Sequence, residues 1–170
     1  MRHLVYAIAA SLDGYISGPN GESDWIVMDP EIDFSATFAR FDTFLLGRKT
    51  YEATRAMGGG STSGTKSYVF STTLQQADCP GVVVSADPAG TVATLKQQSG
   101  KDIWLFGGGG LFGSLLGFGL VDRVEVAIIP VLLGRGVPLS DDLPSRAELK
   151  LVEHRVYPTT GTVSLTYATR

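Results

Sequence analysis

Apolar residues gather in short, β-rich runs along the chain: 4–10 (LVYAIAA), 43–47 (TFLLG), 67–71 (SYVFS), 82–85 (VVVS), 102–106 (DIWLF), 124–130 (VEVAIIP), 149–156 (LKLVEHRV) and 162–168 (TVSLTYA). Each predicts a strand. Between the early runs lie helix-like segments. Residues 29–41 carry Pro30 and acids in what would be a first turn, which favours a helix start. Residues 48–57 run into Gly58, residues 87–100 end in Gly100, and residues 109–119 are apolar on most sides. Strands alternating with helices predict an α/β fold with a largely parallel sheet, and nearly all-apolar strands suit burial on both faces. The last two runs are joined by YPTTG, with no room for a helix. They predict an antiparallel hairpin at one sheet edge, with Val163, Leu165 and Tyr167 alternating against Thr162, Ser164 and Thr166.

Composition narrows this picture. The 170 residues suit one domain, with no internal repeat and no clear linker, so residues 1–170 are read as a single unit. Apolar residues make up 44% and charged residues 18%, which is ordinary for a globular chain. The net charge is −3 and no Lys/Arg-rich run occurs, which argues against nucleic acid and membrane surfaces as partners. Cys79 is the one cysteine, so no disulfide forms within the chain and a reducing compartment is expected. His3 and His154 are far apart and offer no metal-ligand spacing, so no metal is expected. The apolar start at 4–10 reads as a buried first strand rather than a signal peptide, and no stretch is long enough to span a bilayer. A cytoplasmic protein is expected. Residues 58–65 (GGGSTSGT) read as a surface loop.

The chemistry is carried by glycines. In 102–116 (DIWLFGGGGLFGSLL), Gly108, Gly110 and Gly113 spell G-x-G-x-x-G. Glycines between a parallel strand and a helix let a diphosphate approach the backbone and the helix N-terminus. The plainer alternative is close packing of a small-residue helix on the sheet. A Rossmann fingerprint sits in the first βα turn with an acid about 20 residues on. Here the match comes late, and Asp122 and Glu125 fall at or inside the next strand. A standard Rossmann unit is therefore disfavoured, while phosphate binding is retained. A second turn, 45–52 (LLGRKTYE), places Gly47 before Arg48, Lys49 and Thr50. Two cations at a helix start are unfavourable for the dipole unless an anion sits there. A third, 70–74 (FSTTL), offers Ser71 and Thr72 as donors, or is simply a Ser/Thr turn. Open α/β sheets bind ligands at the carboxyl ends of their strands, where all three turns fall.

In this order, SLDGYI, DW, LLGRKTYE, VFSTTL, DIWLFGGGGLF and IIPVLLGRGVPL resemble the dihydrofolate reductase-like superfamily. The nearer branch is that related to the reductase domain of the bifunctional riboflavin-biosynthesis deaminase/reductase. The resemblance covers nearly the whole chain. It implies a three-layer α/β/α fold with a mixed, mostly parallel sheet ending in an antiparallel strand pair, an NADPH cofactor, hydride transfer and a homodimer. By resemblance, Gly107 and Gly108 form the turn that meets the cofactor, and Gly109, Gly110, Leu111 and Phe112 present helix-terminal N–H groups to its diphosphate. Gly47 ends the neighbouring strand and Thr50 contacts the diphosphate. Arg48, Lys49, Ser71 and Thr72 match positions that hold the adenosine side and its 2′-phosphate. Ala9 and Ile16 match positions lining the nicotinamide region.

On the substrate side, the resemblance points to Glu31, with Asp33 and Asp29 as neighbours, for the carboxylate that assists protonation. In an apolar pocket such a carboxyl would be pushed up and could act as an acid. The alternative is that these are acids of a helix's first turn. Trp25 resembles the tryptophan closing the active-site loop, or packs in the core. Asp13 in SLDG either touches substrate or caps a turn. Three departures limit the resemblance. The folate-tail arginine corresponds to about Thr65, the pterin-orienting threonine to Ala127, and no H-x-E or P-C-x-x-C of a zinc deaminase occurs. The expectation is a stand-alone NADPH-dependent reductase acting on a C=N or C=O carbon of a small heterocyclic or sugar-linked substrate, with 5-amino-6-(5-phosphoribosylamino)uracil the nearest by resemblance. The alternatives are a nucleotide-binding module without turnover and a true dihydrofolate reductase.

Overall fold

A computed structural model describes residues 1–58, 64–141 and 143–170. Most of the loop expected at 58–65 lies outside them. Each of the eight apolar runs forms a strand: β1 (Leu4–Ser11), β3 (Phe41–Gly47), β4 (Lys66–Phe70), β5 (Val83–Ser85), β6 (Asp102–Gly107), β7 (Arg123–Ile129), β9 (Leu149–Tyr157) and β10 (Thr162–Thr169). They make one eight-stranded sheet in the order β5-β4-β3-β6-β1-β7-β10-β9. Pairing is parallel from β5 through to β7. The last two strands are antiparallel, as a four-residue connection requires. Two short strands not anticipated, β2 (Tyr15–Ser17) and β8 (Val137–Pro138), pair into a separate ribbon. At three and two residues they are below any readable period.

Alternate residues of each strand feed opposite faces. On one face, Leu4, Tyr6, Ile103, Leu105, Val124 and Val126 pack against Val92 and Leu95 of α3 (Pro88–Gln97) and Phe112 and Leu115 of α4 (Gly109–Gly117). On the other face, Tyr51 of α2 (Arg48–Ala56) packs with Leu46, Val69 and Cys79, while Val5, Phe41 and Trp104 form a neighbouring cluster. Phe38 of α1 (Phe34–Ala39) lies 5.0 Å from the Trp104 ring. Helices therefore cover both faces, giving three layers. Burying a Leu or Val side chain of this kind contributes roughly 1.5–3 kcal/mol.

One predicted helix is corrected. The segment 29–41 is helical only over Phe34–Ala39, with Asp33 as N-cap accepting from the Ala36 N–H at 2.9 Å. Asp29 is 1% exposed and turns inward instead. Its carboxylate accepts from the Glu31 N–H at 2.9 Å and from the Thr160 hydroxyl at 2.7 Å. That bond ties the segment to the β9–β10 turn, so Pro30 and the acids lie ahead of the helix rather than in its first turn.

Candidate functional site

The three glycine and hydroxyl turns converge because their strands are neighbours. In register, Gly47 pairs with Phe70 and Leu46 with Gly107, so the ends of β4, β3 and β6 lie side by side. A Cβ on Gly47 would lie 3.7 Å from the Gly107 carbonyl oxygen and the Gly108 nitrogen. On Gly107 it would lie 3.3 Å from Thr50 Oγ1, and on Gly108 3.5 Å from the same atom. The Gly107–Gly108 peptide is cis. Gly47 caps α2 and Gly108 caps α4, and neither supplies a side-chain cap bond. The first N–H groups of these two nine-residue helices thus point from adjacent turns with no capping side chain, each at a positive dipole end.

Within the glycine run the roles divide. Gly110 is exposed, and a Cβ there would meet nothing within 4 Å. Gly109 is buried, and a Cβ there would lie 2.9 Å from the Pro138 carbonyl oxygen. The strand β8 and its continuation cross at this point, held by the Leu139 N–H to Gly14 O (2.9 Å) and the Tyr6 hydroxyl to Leu139 O (3.0 Å). Burial pushes the Tyr6 phenol up, so it stays a donor. Leu111 packs against the core. The expectation for Phe112 is corrected: its N–H already donates to Gly108 O at 3.1 Å, and its ring stacks on Tyr6 at 4.0 Å. A residue one full turn into a helix has its N–H engaged by the helix itself.

On the adenosine side, Arg48 pairs with Glu52 at 3.0 Å, both groups nearly half exposed. Lys49 is exposed, with no ion pair among the described residues. Ser71 Oγ accepts from the Thr73 and Leu74 N–H groups at 3.1 Å, forming the Ser/Thr turn, with Thr72 exposed beside it.

A groove of about 650 Å³ runs along the sheet face that the helices leave open over β1, β7, β10 and β9. Ala7, Ala9, Phe106, Ala127, Ser164 and Arg155 are among its floor residues, with Ile26–Met28, Ile32, Phe34 and Thr37 as a wall. Ala9 and Phe106 bring the groove to the Gly107–Gly108 turn. Ile16 packs against the larger core instead of lining it. Trp25 also lies outside the lining, its indole N–H donating to Glu22 O at 3.0 Å. Asp13 caps turns: it accepts from the Ser11 hydroxyl at 2.6 Å and from the Gly134 N–H at 2.7 Å. The Ser11 hydroxyl, then the Gly134 and Leu133 N–H groups, hold its carboxyl below the usual range against the opposing pull of desolvation.

Neither Glu31 nor Asp33 sits in an apolar pocket. Asp33 is the helix cap. Glu31 is about half exposed and meets the groove-lining Arg155 at 3.3 Å. The buried carboxylate is Asp29. Burial pushes it up, but the Thr160 hydroxyl, the Glu31 and Thr160 N–H groups and Arg155 outweigh this and hold it below the usual range. Sequence reasoning missed the aromatic floor (Trp104, Phe106) and Arg155. Residues 103–106 are all apolar and 153–157 do not alternate, so the letters carried no signal for either. Among the described residues no helix is long and apolar enough to cross a membrane, and no cluster of His, Cys, Asp and Glu could hold a metal.

Residues 2–163 match the model of the RibD C-terminal domain. The chain belongs to this family. The uncharacterized YyaP of Bacillus subtilis (strain 168) is 35% identical over 178 residues, covering 98% of this chain and 94% of YyaP. A crystal structure from Shewanella sp. PV-4, provisionally described as a riboflavin biosynthesis protein, superposes with a TM-score of 0.83 at 26% identity, covering 100% and 99% of the two chains. Dihydrofolate reductase from Enterococcus faecalis, in a complex with NADP(H), superposes with a TM-score of 0.71 at 19% identity, covering 99% and 96%. The fold is that of the dihydrofolate reductases, and the family supports a reductase-type function.

Proposed function

We propose that the chain works as one domain and is an NADPH-dependent reductase, acting in the cytoplasm as a homodimer on a small heterocyclic or sugar-linked substrate. The observation that carries this reading is the contact of two uncapped helix starts, at Gly47 and Gly108, at the mouth of a groove with an aromatic floor. The residues present fit a dinucleotide. Gly108 and Gly110 leave the backbone open, and Thr50 Oγ1 lies between the two turns to meet the diphosphate. Gly47 keeps the approach free of a side chain. Arg48, held only by a half-exposed pair with Glu52, can swing to a 2′-phosphate with Lys49, Ser71 and Thr72 beside it. Ala9 lines the groove where the nicotinamide would lie, with Ile16 packed behind it. When bound, the cofactor supplies the hydride.

The groove's part is to hold the acceptor flat against Phe106 and Trp104 and keep water from it. Glu31, beside Arg155 at the groove's rim, is the nearer of the two proposed carboxylates for a proton path. Asp13 and Trp25 act by fixing the loops at the mouth. The substrate nearest by family is 5-amino-6-(5-phosphoribosylamino)uracil. Folate is disfavoured because the groove carries Ala127 where a hydroxyl would orient a pterin. A nucleotide-binding module without turnover is the second reading, favoured by the absence of Glu31 and Asp33 from the groove lining.

The test is NADPH oxidation with the uracil precursor and with dihydrofolate. Turnover with the precursor and little with dihydrofolate is expected. NADPH binding without oxidation of either would favour the second reading.

A further inference from the structure

The open side of the groove ends at β9, the last strand of the sheet. Its outer backbone N–H and C=O groups have no neighbouring strand among the described residues. Edge strands of this kind template association unless charge or proline prevents it. From Leu149 to Tyr157 the strand has no proline, and most of it is exposed. Val156, in the regular part of the strand, is 57% exposed, and Val152, at its register shift, is 53% exposed.

The charges on this edge are arranged for self-pairing. We propose that β9 pairs antiparallel with β9 of a second copy about a two-fold axis at His154, joining the two sheets, and that the partner's Glu153 becomes part of the groove rim. This rests on the homodimer named in the proposed function and deepens it. In that register Glu153 faces the partner's Arg155, and Arg155 the partner's Glu153. A two-fold axis perpendicular to the sheet keeps each side chain on its own face, so only registers centred on a residue are allowed. Centring on Glu153 would oppose two carboxylates, and centring on Arg155 two guanidiniums. Like charges directly opposite are destabilising. His154 is the centre that pairs both charges with their opposites. The paired stretch is Glu153 to Arg155, because the β9–β10 ladder shifts register just beyond Glu153, at Thr166/Tyr167, and passes over Val152.

The pairing bears on the site. Arg155 lines the groove with its guanidinium 4.7 Å from the Tyr157 ring centroid, and among the described residues of the single chain it has one long bond, to Glu31. A guanidinium has five donors. The partner's Glu153 takes some of them, so Arg155 is shared between two carboxylates and held at the rim, and Glu31 is less tightly bound.

Sedimentation velocity on the full chain tests this through charge reversal. Glu153→Arg alone and Arg155→Glu alone each place like charges opposite at two positions and are expected to weaken the dimer by about tenfold or more. The double variant Glu153→Arg/Arg155→Glu restores opposite pairs and is expected to recover most of the affinity. Circular dichroism checks that each variant is folded. A wild-type chain that stays monomeric, single variants that dimerise as well as wild type, or a double variant no better than the singles would each overturn the interface. A monomer that binds NADPH sinks the interface and leaves the reductase reading standing, whereas a dimer that does not bind NADPH does the reverse.

Discussion

At the residue scale, neighbouring glycines of one run have opposite tasks, and substitution separates them. Gly109→Ala would press its Cβ into the Pro138 carbonyl, where backbone must give way. It is expected to lower the unfolding free energy by about 1–3 kcal/mol, read by chemical denaturation. Gly110→Ala meets open space and is expected to leave the fold as stable or slightly more so. If α4 receives the diphosphate, the same change weakens NADPH binding, read by titration. Asp29 sets a pH dependence. Its carboxyl is held below the ordinary value, so its contribution is present above about pH 4 and is lost as pH falls from there through the folded value. Asp29→Asn is expected to be less stable than wild type at neutral pH and to lose less stability on acidification, measured as denaturation midpoints against pH. None of this was legible in the letters. The sequence marks Asp29, Glu31 and Asp33 as three similar acids; tertiary contacts make one a buried anchor to Thr160 and one a partner of Arg155, and a local bond makes the third a helix cap.

At the element scale, strands were legible and helix boundaries less so. The runs at 102–106 and 162–168 matched β6 and β10 closely: four consecutive apolar residues suit the central strand β6, and apolar–polar alternation in the letters marks β10. The segment at 29–41 misled because acids near a proline imitate a helix start, whereas the buried carboxylate of Asp29 outweighs that local preference. The start of α2 was legible as an anomaly: Arg48 and Lys49 at a helix N-terminus oppose the dipole, a conflict that an anion bound there would relieve. The pair Arg48–Glu52 runs in the weaker direction for a helix, with the cation N-terminal to the acid. Arg48→Ala is therefore expected to leave stability within about 0.5 kcal/mol of wild type. It should weaken NADPH binding by roughly tenfold or more while NADH binding changes little. Equal losses for the two cofactors would place Arg48 away from the 2′-phosphate. Asp33→Ala removes the α1 cap and should cost about 1 kcal/mol of stability with turnover intact. A large fall in turnover with stability unchanged would return Asp33 to a chemical role.

At the scale of the whole molecule, the order of the eight strands decides what the turns can do. Residues 47, 71 and 107 are far apart in sequence, and the sheet order β4-β3-β6 sets their strand ends side by side. The turns could be recognised singly, and their convergence followed from the parallel alternation of strands and helices. The groove was not legible, since it exists where no helix of the described residues covers one face of β7, β10 and β9, and absence of cover leaves no pattern in the strands beneath. The converging turns are proposed to hold NADPH. Calorimetric titration of the full chain with NADPH and with NADH tests it most directly. One-site binding of NADPH, at least about tenfold tighter than NADH, is the result expected from a site with Arg48 and Lys49 at a 2′-phosphate. Absence of NADPH binding at millimolar concentration, or equal affinity for both dinucleotides, would contradict it.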